Sequence, residues 1–208
     1  MGKNGINPEA ARQEKSALLA LLSGKRILEV GAGSGRTTFI YADVAKSVDA
    51  IDVEAKALAL LERQAKENGL SGKITAKAQS LFDVGSGKRY DAALFTFSLH
   101  EMPAVKSLKK AFEIADSVIV FDHYLNSEWS EMCGEKCKVE REWKAISKYA
   151  VSKESPIDGV YRFDDFGTLQ NYVAECAAAR RNSAKYKDKA PIFIKSPRRI
   201  VELKKKIK

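Results

Sequence analysis

The chain has 208 residues, of which 45% are hydrophobic and 30% charged. It exceeds the ~150-residue prior for one domain by about half, so one domain with appendages is expected. These proportions exclude a disordered, collagenous or membrane-embedded chain. No apolar run approaches the ~20 residues of a spanning helix, and the N-terminus lacks the apolar core of a secretory signal, so the expectation is a soluble, cytoplasmic protein.

The formal charge is +9, and it is unevenly distributed. Residues 1–125 carry 17 basic and 15 acidic side chains, residues 126–208 carry 19 and 12, and the last 29 residues carry 12 and 2. A basic end of this kind attracts polyanions, but charge alone confers neither base readout nor chemistry. The three cysteines, Cys133, Cys137 and Cys176, cannot all pair with one another, so reduced thiols are the default.

Asn7-Pro8-Glu9 opens the first helix with a capping side chain, a proline where its missing N–H costs nothing, and an acid near the positive end. Leu18, Leu21 and Leu22 continue it to 22, and Gly24 offers the left-handed stop. Arg26–Val30 reads as a buried strand that runs into Gly31-Ala32-Gly33-Ser34-Gly35 and a helix over 36–46. Val48–Asp52 is a second strand, 54–68 a helix stopped at Asn68-Gly69, and Lys73–Ala78 a short third strand. Beyond the loop holding Gly85-Ser86-Gly87, Asp91–Phe97 is a fourth strand, followed by a helix over 104–115 and a fifth strand, Ser117–Phe121. This alternation implies right-handed crossovers and a doubly wound α/β fold with helices on both faces.

Past Asp122 the rhythm breaks. Helices are expected at 139–151 and 165–179. Two strands, Pro191–Lys195 and Arg199–Lys206, would be joined by a tight turn at Ser196-Pro197-Arg198. The stretch 123–164, with Trp129, Trp143 and Tyr149, reads as a cap over the strand ends. One domain would then comprise an N-terminal helix (1–24), a ligand-binding core (25–122), the cap (123–164), and a terminal helix and strand pair (165–208).

The ligand crevice of such a sheet lies at the carboxyl ends of the strands, where strand order reverses. Gly31, Gly33 and Gly35 occupy that place after the first strand, where glycine permits positive φ and close backbone approach. Asp52 ends the second strand 21 residues after Gly31, where a carboxylate can accept from both ribose hydroxyls. Arg36 stands where a dinucleotide fingerprint needs a small residue, and no GK[ST] phosphate loop follows. Glu29 is a carboxylate in an otherwise apolar strand, a costly arrangement that points to a site.

Ile27-Leu28-Glu29-Val30-Gly31-Ala32-Gly33-Ser34-Gly35-Arg36-Thr37-Thr38 resembles the first motif of class I S-adenosylmethionine-dependent methyltransferases, and Val48-Asp49-Ala50-Ile51-Asp52 is similar to their second. Tyr90–Pro103 resembles the fourth-strand segment that ends in a substrate-facing loop. The resemblance implies a Rossmann-like, mostly parallel seven-stranded sheet with an antiparallel C-terminal strand, and S-adenosylmethionine as cofactor. It implies that Glu29 and the Gly31, Ala32, Gly33 and Gly35 loop hold the methionine moiety, that Asp52 binds the ribose and that Val53 lies near the adenine. The family's adenine-binding acid is matched by Gln79, followed by Ser80, with Asp83 as a second candidate. Phe97, at the start of the substrate-facing loop, is counted with the cofactor-binding residues.

Methyl transfer from a sulfonium needs an aligned nucleophile and, for a protonated acceptor, a general base. His100, and His123 after the fifth strand, sit where a base could act, whereas Glu101 reads as part of the cap of the next helix. The Asn/Asp-Pro-Pro-aromatic motif of the amino-methylating relatives is missing after Phe97. Cys133 and Cys137, four apart without further ligands, make a thin metal site, and no metal is expected. The reading is therefore methyl transfer to a small-molecule acceptor. The alternatives are an RNA acceptor held by the basic C-terminal region, or a nonenzymatic module that binds the cofactor without turnover.

Overall fold

The computed structural model describes residues 4–86 and 89–205. Gly87 and Lys206, assigned above to a loop and to a strand end, lie outside them. In chain order the main elements are β1 (Gly5–Ile6), α1 (Pro8–Leu22), β2 (Arg26–Val30), α2 (Thr38–Tyr41), β3 (Ser47–Asp52), α3 (Ala55–Glu67), β4 (Ile74–Ala78) and β5 (Tyr90–Thr96). There follow α4 (Ala104–Ile114), β6 (Ala115–His123), α5 (Glu128–Met132), α6 (Lys136–Ile146), β7 (Ala150–Phe163), α7 (Phe166–Tyr172), α8 (Ala177–Asn182) and β8 (Ile192–Lys204).

One eight-stranded sheet has the order β1-β7-β8-β6-β5-β2-β3-β4. Strands β4, β3, β2, β5 and β6 are parallel neighbours, and β8 lies antiparallel between β6 and β7. The number of strands agrees with the seven expected once the two-residue β1, antiparallel to β7, is set aside, although β7 is not among those placed from the sequence. Alternation along the central strands separates two cores. Ile27, Ala92, Leu94, Ile119 and Phe121 pack with α1 and α3 residues such as Leu18, Leu22 and Leu61. Leu28, Val30, Ala93, Phe95, Val118 and Val120 pack with α4 and α6 residues such as Leu108, Phe112, Trp143 and Ile146. Period-2 side-chain direction on a sheet covered on both sides makes every second residue serve a different helix layer.

Several sequence-based expectations are corrected. The helix expected over 36–46 shrinks to α2, because the chain turns after Tyr41 and Lys73 Nζ takes the carbonyls of Asp43 and, at 3.1 Å, Ala45. The two C-terminal strands with a turn at Ser196-Pro197-Arg198 are one continuous strand, β8. It pairs with β7 along its whole length, but with β6 only from Arg198 to Leu203. Pro197 therefore lies just past the β6 ladder, where its carbonyl still accepts the Tyr124 amide at 2.8 Å but its missing N–H is tolerated. The helix expected at 139–151 ends at Ile146, and Ala150–Phe163 is a sheet strand, so only the part of 123–164 before β7 stays outside the sheet. The helix at 165–179 divides into α7 and α8, with the Cys176 thiol accepting the Ala179 amide at the start of α8. Asn7 does not cap α1 with its side chain. Its Oδ1 accepts from the Val160 amide of β7 instead.

Candidate active site

The parallel strands β2, β3, β4, β5 and β6 bring Val30, Asp52, Ala78, Thr96 and His123 to one end of the sheet. Strand order reverses between β2, flanked by β3, and β5, so the loops after them splay apart around a crevice. A cavity of about 390 Å³ opens there, walled by Gly31, Ile51, Asp52, Val53, Gln79, Ser80, Leu81, Phe97, Ser98, Glu101 and their neighbours.

The glycine loop is shaped by three positive φ angles, 73° at Gly31, 54° at Gly33 and 86° at Gly35. Two of these glycines are also required by packing. A Cβ on Gly31 would lie 2.5 Å from Ser98 Cβ, and one on Gly35 would lie 2.8 Å from Phe39 Cε2 and 3.0 Å from Leu61 Cγ. Ser98 closes the loop from the other side by donating its hydroxyl to the Val30 carbonyl at 2.6 Å. Asp52 then tethers the loop to β3: Oδ2 accepts the Gly33 amide at 2.8 Å, and Oδ1 accepts the Glu54 amide at 2.9 Å. A carboxylate has about four lone-pair sites, so two remain for donors in the cavity such as a ribose diol.

Val53 is 79% exposed, an unusual state for a valine, and with Ile51 and Leu81 it offers an apolar wall for a flat ring. Gln79, whose amide is held by the Asp52 carbonyl at 2.9 Å, and Ser80 edge the same wall. Asp83 instead lines a neighbouring cavity with Asp49, Lys77 and Tyr90. Phe97 adopts φ 50° and donates its amide to the Phe121 carbonyl. Its ring is flanked by Phe121 at 4.6 Å, His123 at 4.9 Å and the guanidinium groups of Arg36 and Arg198 at 5.2 and 5.3 Å.

Gly31, Asp52, Val53, Gln79, Ser80 and Phe97 are brought together around the cavity, whereas Glu29, Ala32, Gly33, Gly35, His100 and His123 are not among its walls. Glu29 is fully buried, and its carboxylate accepts from Thr38 Oγ1 at 2.6 Å, Tyr41 hydroxyl at 2.8 Å and Thr96 Oγ1 at 3.3 Å. Burial raises its pKa and the hydroxyls counter that. The acid that looked anomalous in the strand is satisfied by three hydroxyls and anchors α2 to β2 and β5.

His100 lines the adjoining cleft between α4 and α6. Nδ1 is 2.8 Å from Asp122 Oδ2. Burial lowers its pKa, but the Asp122 hydrogen bond and charge, with Glu135 and Glu101, more than offset that, and the net shift is upward. Glu142 lies behind this pair, fully buried, with both carboxyl oxygens lacking a hydrogen-bond partner. Burial and the neighbouring Asp122 push its pKa well up. His123 has the opposite character: burial, then the charges of Arg198, His100 and Arg36, push it down to about 3. A neutral imidazole so hard to protonate is a poor proton acceptor near pH 7.

Sequence reasoning assigned Glu101 to the cap of the next helix, yet α4 has Pro103 at its N-cap, and Glu101 lines the cavity with its carboxylate 2.6 Å from Lys138 Nζ. Met102 and Pro103 were also missed as cavity walls, although their place directly after the β5 loop carries that signal. Cys133 and Cys137 are free thiols, and burial pushes Cys133 up to about 12. The clusters of three metal-type donors among the described residues contain neither. Trp143 is core, donating Nε1–H to the His123 carbonyl at 2.6 Å, and Trp129 stacks on Tyr161 at 3.9 Å between centroids.

Residues 27–120 match the family model of a methyltransferase domain. The matched stretch, which holds the glycine loop and Asp52, is similar to a methyltransferase domain. Its fold is that of a candidate methyltransferase from Bacillus halodurans, with 11% identity over 96% of this chain and 99% of the other and a TM-score of 0.71. A methyltransferase from Geobacter sulfurreducens in complex with S-adenosylhomocysteine shares 13% identity over 96% and 92%, with a TM-score of 0.65. A candidate RNA methyltransferase from Pyrococcus horikoshii shares 19% identity over 95% and 85%, with a TM-score of 0.57. No curated protein matches the chain by sequence. At these identities the solved structures carry the fold, while the likeness to methyltransferases in sequence comes from the domain match. Among the described residues, no helix is long and apolar enough to cross a membrane.

Proposed function

We propose that the chain is a single-domain, cytoplasmic S-adenosylmethionine-dependent methyltransferase (EC 2.1.1.-) acting on a small-molecule acceptor. The observation that carries this is Asp52, which tethers the glycine loop through Gly33 and still has lone pairs facing the cavity. S-adenosylmethionine supplies an electrophilic sulfonium methyl. The residues present fit it: Asp52 accepts from the ribose hydroxyls, Val53, Ile51 and Leu81 pack against the adenine with Gln79 and Ser80 at its edge, and the Gly31 backbone admits the methionine portion. Gly33, Gly35, Ala32 and Glu29 hold the loop in shape from behind. Phe97 and Ser98, which wall the same cavity, would exclude water from beside the line of transfer.

The choice of a small acceptor over RNA rests on how the C-terminal charges are used. Arg198 is buried against Glu14, Arg199 pairs with Glu154, and Lys204 lies 3.5 Å from Glu202. These three of the twelve basic side chains in the last 29 residues are paired within the chain and leave less for phosphates. The remaining basic side chains of the α4–α6 cleft, among them Lys106, Arg141, Lys144 and Lys148, are where an RNA backbone would bind. Transfer of labelled methyl from S-adenosylmethionine into cell extract, with and without nuclease, tests the reading. A nuclease-resistant small product is expected; loss of label with nuclease would make RNA the acceptor, and S-adenosylhomocysteine binding without any labelled product would leave a binding module.

A further inference from the structure

The turn after β5 joins two cavities. Glu101 is a wall of the cofactor cavity, and the preceding His100 forms part of the cleft between α4 and α6. The His100 side chain is 4% exposed. Its Nδ1 is occupied by Asp122 Oδ2 at 2.8 Å, a bond that makes Nδ1 the proton-bearing nitrogen of the neutral ring and leaves the Nε2 lone pair outward. Nε2 faces Glu101 Oε1 at 3.5 Å and Glu135 Oε2 at 4.0 Å, with no hydrogen bond to either. With the ring neutral, a buried lone pair aimed at two carboxylates is repulsive, and either a proton on Nε2 or a metal cation among the three reverses the sign.

We propose that His100 Nε2, Glu101 and Glu135 form a site for a first-row divalent metal ion, with Asp122 as the outer partner that fixes the imidazole. The three donor atoms lie within 4.8 Å of one another. Donors about 2.1 Å from a shared ion at tetrahedral or octahedral angles stand roughly 3.0–3.5 Å apart, so the observed spacing needs only a small closure. A carboxylate behind a ligating histidine is the usual device for fixing ring tautomer and orientation. Lys138 Nζ sits 2.6 Å from Glu101, is 37% exposed and would be displaced by an ion there, whereas Asp122 is fully buried behind the ring. One imidazole and two carboxylates suit Mn²⁺ or Zn²⁺ and leave coordination positions for water or an oxygen ligand.

Because Glu101 belongs to both the site and the cofactor cavity, an ion there would hold an oxygen of the acceptor, a hydroxyl or carboxylate, beside the methyl donor, with a hydroxyl proton passing to solvent. This use of the ion rests on the methyltransferase reading; ion binding does not.

Mn²⁺ is the probe, because thiols such as Cys133 and Cys137 bind it poorly. Calorimetry and electron paramagnetic resonance on the full chain, without cofactor or acceptor, are expected to give one Mn²⁺ per chain. Glu135→Gln and Glu101→Gln, each verified as folded by circular dichroism, are expected to lose at least ~10-fold in affinity. His100→Gln should do the same, and if it fails to fold the Glu101 and Glu135 variants decide alone. No stoichiometric uptake by the wild type, or unchanged affinity in both glutamate variants, overturns the site. S-adenosylhomocysteine binding measured in the same samples reports separately on the cofactor reading, which stands or falls without the metal.

Discussion

Asp52 and Gly33, 19 residues apart in sequence, are joined by a 2.8 Å hydrogen bond from the Gly33 amide to Asp52 Oδ2. The carboxylate that faces the cavity is therefore also the one that holds the loop. Asp52→Asn keeps one carbonyl oxygen but loses the charge and one acceptor, and a hydrogen bond to a charged group contributes about 1.5–3 kcal/mol. The expected result is a fall in S-adenosylhomocysteine affinity of roughly 10- to 100-fold, read by calorimetry. Unchanged affinity would remove Asp52 from the cofactor site.

Gly31 and Gly33 share positive φ but not surroundings. Alanine at 33 meets nothing within 4 Å and pays only for φ 54°, about 1 kcal/mol. At 31 it carries the same kind of penalty and also drives a Cβ into Ser98, whose own atoms are held by the bond to Val30. Gly31→Ala should cost about 3 kcal/mol in urea unfolding. Equal losses at the two positions would contradict the close packing of Ser98 on Gly31.

Arg198 and Glu14 form a buried ion pair between β8 and α1, with side chains 4% and 11% exposed, and Arg198 also donates to the Tyr161 hydroxyl at 2.8 Å. Removing one partner leaves the other charge buried alone, so Glu14→Ala is expected to destabilise by about 3–5 kcal/mol. The double replacement Glu14→Leu with Arg198→Met should recover most of that, because it removes both desolvation costs together. A double variant as unstable as Glu14→Ala would show that the pair is not the origin of the loss.

His123 gives a pH signature. Its folded pKa of about 3 lies below the ordinary 6.5, so between those values the unfolded chain takes up a proton that the folded chain refuses. His123 therefore makes stability fall as pH drops from about 6.5 toward 3, and adds no pH dependence above that window. A His123→Gln variant should show a shallower acid limb in thermal melts, and the wild-type His123 ring resonances should not move between pH 8 and 5. Titration near 6.5 would mean that the ring is solvated.

The elements that build the cofactor crevice were legible because each leaves a local mark. The Leu spacing of α1 and α3, the apolar runs of β2 and β5, and the Gly31–Gly35 loop all follow from interactions within a few residues of one another. Glu29 was legible as an anomaly, but its meaning was not: whether a buried carboxylate meets a ligand or three hydroxyls depends on Thr96, 67 residues away. β7 failed for a similar reason. Ala150–Phe163 carries no clean alternation, since its first half is largely exposed and its partner β8 comes from the far end of the chain. Pro197 read as a turn because a proline usually breaks a strand; only its place in β8 just past the β6 ladder makes it compatible.

What the sequence by itself determined is the order of strands and helices, the glycine loop and the acid that follows it, because backbone conformation and side-chain periodicity are local. The tertiary structure alone decided that His100, Glu101 and Glu135 meet. Two of them adjoin in sequence and the third stands at the N-cap of α6, and only the packing of that helix against the β5 turn brings two carboxylates around one buried imidazole.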